Sequence, residues 1–146
     1  MKYYIQWFKI YADLEHKKFY KVFVFDDFEK MYKFMRKHAV ACGDEYFEGV
    51  EDNYEGLCHS HAIDVVYGDG TRERYGDIGY ILLHKKALTS GVISHECTHA
   101  TTYYFGQCEV NKNIFEDCEA DEKFASVQGY LVDQLVGKLF KYGLYE

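Results

Sequence analysis

A chain of 146 residues with 48% apolar content can bury one core without metal or disulfide staples, and its length suits a single domain better than two. Its formal charge of -7, with no run of Lys or Arg interleaved with aromatics, argues against a nucleic-acid or anionic-membrane surface. The five cysteines (Cys42, Cys58, Cys97, Cys108, Cys118) form no Cys-x-x-Cys pair and are no disulfide framework; the first residues, interrupted by Gln6 and Lys9, have neither a cleavage site nor the length of a span, so the expected compartment is reducing and cytoplasmic.

Taken in chain order, Tyr3 to Tyr11 is rich in aromatic and β-branched residues and reads as a strand, which a polar turn at Asp13 to Lys18 joins to a second, Phe19 to Phe25, as a hairpin. Asp26 with Glu29 resembles a capping box, opening a helix whose Phe28, Met31, Tyr32, Met35 and Ala39 recur at helical spacing as far as Gly43. Residues 42 to 60 hold six acids and no Lys or Arg; they read as a solvated loop, with a lid over a cleft as the alternative. His61 to Tyr67 and Thr71 to Tyr75 flank the turn signal Gly68-Asp69-Gly70 and predict another hairpin. Ile78 to His84 predicts a strand, connected through Lys85, Lys86 and Ala87 to a helix that starts near Thr89 or Ser90 and stops at Gly106. A long last helix is predicted from about Phe115 to Tyr142.

The chemistry sits in the first of these two late helices, as His95-Glu96-Cys97-Thr98-His99. On a helix, His95 and His99 stand one turn apart on the same face and offer two imidazole nitrogens to one metal ion. Glu96 lies one position round the helix, within reach of a water at that ion, where a general base belongs.

The third ligand is sought on the last helix. Cys118, Glu122, Ala125, Gly129, Val132, Val136 and Leu139 fall on one face at steps of four and three, which makes Glu122 an acid on a stripe that reads as buried. A buried carboxylate is costly unless paired or bound to a cation, and metal ligation meets that cost. Glu119 competes with Glu122, and Glu116 more remotely; one acid would ligate and the other would support a histidine N–H. Tyr103, on the His99 face, and Tyr130 are the tyrosines nearest such a site in sequence terms, and the reading prefers both as core.

On His95, Glu96, His99 and Glu122, and on Glu122-Lys123-Phe124-Ala125, the chain resembles a minimal zincin of the gluzincin type, similar to short phage-associated metallopeptidases. The match covers roughly residues 60 to 140, and the twenty-two residues between His99 and Glu122 are more than in thermolysin-like enzymes. A metzincin pattern is excluded by Thr102 and Phe105 where Gly and His would be needed. The resemblance implies an α+β fold: a small twisted mixed sheet of four or five strands, covered by three helices, in a single domain over residues 1 to 146. It implies a hydrolase acting on a peptide or protein substrate, with Zn²⁺ held by His95, His99 and Glu122 and Glu96 as general base. It also implies an edge strand at Tyr80 to Leu83 that pairs with extended substrate, and host cytoplasm as the location of a phage-encoded protein. The alternative is a zinc-stabilised binding or regulatory module without turnover. No membrane and no nucleic acid are expected as partners.

Overall fold

The computed structural model describes residues 2–41, 55–60, 64–66, 68–70, 72–74, 76–108 and 118–145. The fold is α+β. Strands β1 (Gln6–Asp13) and β2 (Lys18–Phe25) form the expected hairpin, and helix α1 (Phe28–Ala41) follows. Strand β3 (Gly56–Ser60) precedes a short hairpin of β4 (Asp64–Val66) and β5 (Arg72–Arg74), then β6 (Asp77–His84), α2 (Ser90–Cys108) and α3 (Cys118–Lys141). Four strands make a mixed sheet in the order β1-β2-β6-β3, with β2 parallel to β6 and the other pairs antiparallel; β4 and β5 pair apart from it. Among the described residues, no helix is long and apolar enough to cross a membrane.

The strand alternation explains the layers. Phe8, Ile10 and Ala12 of β1, Tyr20, Val22 and Val24 of β2, Ile81 and Leu83 of β6 and Cys58 of β3 face a core closed by α2 and α3. On the opposite face Phe25, Tyr80, Leu82 and Leu57 pack with Met31, Tyr32, Phe34 and Met35 of α1. Strand β6 is buried on both faces, as its near-continuous apolar run requires of a strand between two helical layers. Long-range polar contacts lock the layers. The buried Tyr20 hydroxyl donates to the Ala100 carbonyl at 2.7 Å. On the β1 edge, Gln134 of α3 accepts from the Tyr11 N–H and donates to the Tyr11 carbonyl, both at 2.8 Å, as a neighbouring strand would.

Tyr80 to Leu83 is no edge strand: β6 is flanked by β2 and β3, and β3 holds the edge position. Within the acidic stretch, Gly56–Ser60 forms β3 in place of the expected loop, because it completes the backbone pairing of Gly79 to Leu83; residues 42–54 lie outside the described ones. The cap of α1 is Asp27, whose Oδ1 accepts from the N–H groups of Glu29 and Lys30 at 2.8 and 3.2 Å, in place of Asp26. Gly106 does not stop α2, which continues to Cys108: burial of Tyr104 and Phe105 just before it outweighs the roughly 1 kcal/mol that a helical glycine costs.

Gly79 is where β6 admits both neighbours. A Cβ there would lie 2.1 Å from the His59 carbonyl oxygen and 3.0 Å from Tyr20, whereas one on Gly137, on the outside of α3, would meet nothing within 4 Å. Gly79→Ala should therefore destabilise the protein by about 2 kcal/mol or more, as overpacking does. Gly137→Ala should be neutral or stabilise by up to about 1 kcal/mol. Thermal unfolding of the two variants checks the contrast.

Candidate metal centre

The turn from β6 into α2 is built by side chains. His84 Nδ1 accepts from the Lys86 N–H at 2.9 Å, and Thr89 caps α2, its Oγ1 accepting from the Val92 N–H at 3.1 Å. Helix α2 then buries Ile93, Cys97, Ala100, Thr101 and Tyr104 against the sheet. This fixes its rotation, so that His95 and His99 point to solvent while Glu96 turns towards β3.

The two imidazoles converge. His95 Nε2 and His99 Nε2 are 3.2 Å apart, with the rings 78° from coplanar. Two nitrogens at ordinary Zn–N lengths in a tetrahedral shell stand about 3.3 Å apart, so the pair fits one metal ion. Burial, and then the neighbouring His95, hold the His99 pKa below the usual histidine value, favouring the neutral form that ligates. The Tyr103 ring stacks beside His99, centroids 6.0 Å apart, and its half-buried position packs against the core.

Glu96 is the unusual group. Only 4% exposed, it has one carboxylate oxygen, Oε2, with no hydrogen-bond partner. Burial pushes its pKa up from 4.5 to about 7. The close approach of β3 causes that burial: a Cβ on Gly56 would lie 3.2 Å from Glu96 Cγ and 3.3 Å from its Oε1. Beside it opens a cleft of about 460 Å³, lined by Glu55, Gly56, Thr89, Gly91, Val92, His95 and Glu96. Burial, reinforced by Glu96, pushes the nearby thiol of Cys97 up to about 12 and that of Cys58 well above its usual value.

The acids of α3 are not brought to the histidines. Cys118, Glu119, Glu122, Ala125 and Gly129 are exposed, and the buried stripe is Ala120, Leu131, Leu135 and Leu139, with Phe124, Val127 and Val136 packed beside it. Larger apolar side chains on the neighbouring face took the core position that the small residues were expected to hold. The Gln128 Nε2 donates to Thr98 Oγ1 at 2.7 Å and Phe124 packs on Phe105, so α3 runs antiparallel to α2. Glu122, about 9 Å along α3 from Gln128, therefore lies level with the end of α2 and past the histidines. Glu116 is outside the described residues. Among the described residues no group of three His, Cys, Asp or Glu side chains stands ready to hold a metal.

Compared with known proteins, the chain matches no family model, no curated protein and no solved structure. What the site can do is therefore read from its own geometry. His95, Glu96 and His99 carry a motif that marks them in the sequence, whereas Gly56 and the lining of the cleft do not: the Glu55-Gly56 pair at the end of an acidic run has no pattern of its own.

The raised pKa of Glu96 has a definite sign in stability. The folded state holds this proton to higher pH than the unfolded chain does, so the contribution is full below about pH 4.5 and is lost as pH rises through about 7. In chelator, wild type should lose about 3 kcal/mol more than Glu96→Gln between those limits. Urea unfolding at several pH values measures the difference; equal slopes would remove the buried carboxyl from the account.

Proposed function

We propose that the protein is a zinc-dependent peptidase of the zincin type, with His95 and His99 as zinc ligands and Glu96 as general base. The observation that carries this reading is the Glu96 carboxylate: buried, unpartnered at one oxygen, with a proton affinity near neutrality, beside two converging imidazoles at the wall of a cleft. A purely structural zinc module has no use for such a group, whose burial costs stability.

Zinc held by the imidazoles would polarise the scissile carbonyl and acidify a water. Glu96 takes a proton from the attacking water, holds it on its carboxyl, and passes it to the leaving nitrogen as the C–N bond breaks, so the products are a carboxylate and an amine. The edge of β3, whose Gly56 lies against Glu96, offers backbone groups to an extended substrate next to that base. For the third ligand we keep Glu122 before Glu119. Either choice requires the first turns of α3 to move towards His99 when zinc binds.

Purified protein should carry about one zinc per chain, by elemental analysis without chelator. Glu96→Gln should keep that zinc and lose activity by at least about 100-fold on a peptide the wild type cleaves; undiminished turnover would end the assignment of the base. In competition against a zinc chelator, Glu122→Ala should weaken binding by more than about 100-fold and Glu119→Ala by about 10 to 100-fold. The reverse ranking moves the ligand to Glu119, and no effect from either takes α3 out of the site.

A further inference from the structure

The hairpin of β1 and β2 places three cross-strand pairs on the sheet face opposite α2 and α3: Trp7 with Phe23, Lys9 with Lys21, and Tyr11 with Phe19. Helix α1 packs over Phe25, Tyr80, Leu82 and Leu57 at the other end of that face and reaches Phe23 through Phe34, ring centroids 4.7 Å apart, while Trp7 is left 43% exposed. Two lysines directly opposite one another repel, an arrangement that a sheet normally avoids. Each is held only locally: Lys9 Nζ lies 4.3 Å from the Phe19 ring centroid, and Lys21 Nζ bonds to Asp77 at 3.0 Å. Above the lysine pair, Trp7 and Phe23 stack with rings 25° from parallel, and Tyr4 and Lys2 extend the same array. The Asp77 carboxylate is engaged by Lys21. Charge is segregated along the chain as well: the first 41 residues hold nine Lys and Arg against five Asp and Glu, and the remainder eight against nineteen.

We propose that this face binds single-stranded nucleic acid, with bases stacked on Trp7 and on Tyr11, whose partner rings Phe23 and Phe19 lie against Phe34 and Lys9, and a phosphate between Lys9 and Lys21. The two ring rows are about 13 Å apart with the lysine row midway, a distance that two extended nucleotide steps span. Flat π faces on either side of paired ammonium groups suit a polymer of bases and phosphates, since stacking tolerates any base and the cations meet its backbone. An acidic peptide would engage the lysines and leave the rings without a flat partner. The expectation against nucleic acid rested on the net charge of -7 and on the lack of a basic run along the chain, whereas this array is assembled across two strands in the part of the chain where Lys and Arg outnumber the acids. It is independent of the zinc reading, which concerns the opposite side of the sheet.

Trp7 is the only tryptophan, so its emission reports the face directly. The test titrates the full chain with fluorescein-labelled oligothymidylate and oligouridylate at low and physiological salt, following anisotropy and Trp7 emission. The expected result is saturable binding that quenches Trp7 and weakens as salt is raised. Trp7→Ala and Lys9→Glu, both at solvent-accessible positions, should each weaken anisotropy-detected binding by about tenfold or more, with circular dichroism and melting temperature showing that the fold is kept. Lys9→Gln serves if the charge reversal disturbs the hairpin. The proposal is overturned by no saturable binding of wild type at low salt, or by binding that these variants leave unchanged. It is also overturned if oligoglutamate quenches Trp7 where oligonucleotides do not, or if sedimentation finds a dimer that Trp7→Ala dissolves; the first would make the face a peptide site and the second a contact between copies.

Discussion

The candidate centre depends on one burial, that of the Glu96 carboxyl between α2 and β3. An ionised carboxylate in such a place is unfavourable, and the protein meets this by letting the group hold its proton until about neutral pH. The same circumstance makes it a usable base, because its proton affinity matches the pH at which it would work. Gly56 makes the approach possible, since any side chain there would press on Glu96 and Val92.

What holds Glu96 in place is the remainder of α2. Ile93, Cys97, Ala100 and Tyr104 commit one side of the helix to the core, and the Tyr20 hydroxyl fastens its backbone at Ala100. Once that side is fixed, a helical repeat sends His95 and His99 to the outside and Glu96 to the cleft. The tie between Thr98 and Gln128 then sets which part of α3 lies level with the histidines, and it is a part without acids close enough to complete a three-ligand group among the described residues.

The sheet divides the molecule into two chemical surfaces. One face is closed by α2 and α3, and the outer side of α3 carries Glu119, Asp121, Glu122 and Asp133; the other is closed by α1 only over β6, β3 and the end of β2. The part left open is where the basic first 41 residues set aromatic rings and lysines side by side. Gln134, by satisfying the Tyr11 backbone, covers the β1 edge at that point and leaves the adjoining face accessible.

The hairpin, the β6 run, the two late helices and the triad His95, Glu96 and His99 were legible in the sequence because each is a local pattern: alternation, a continuous apolar run, or a four-residue step on a helix. The four-residue step likewise puts His95 and His99 on one side of α2 whatever the helix packs against. Tertiary structure decided the rest. Helix α3 has two neighbouring faces of partly apolar character, and which one is buried depends on the bulk of Phe124, Leu131 and Leu135 against α2 and β1, so exposure of Glu122 could not be read from spacing alone. Strand β3 exists because β6 offers it a partner, Gly56 matters because α2 lies against it, and the lysine pair forms because two strands register there. Each of these is a contact between residues far apart in the chain, where neither member carries a local signal of the other.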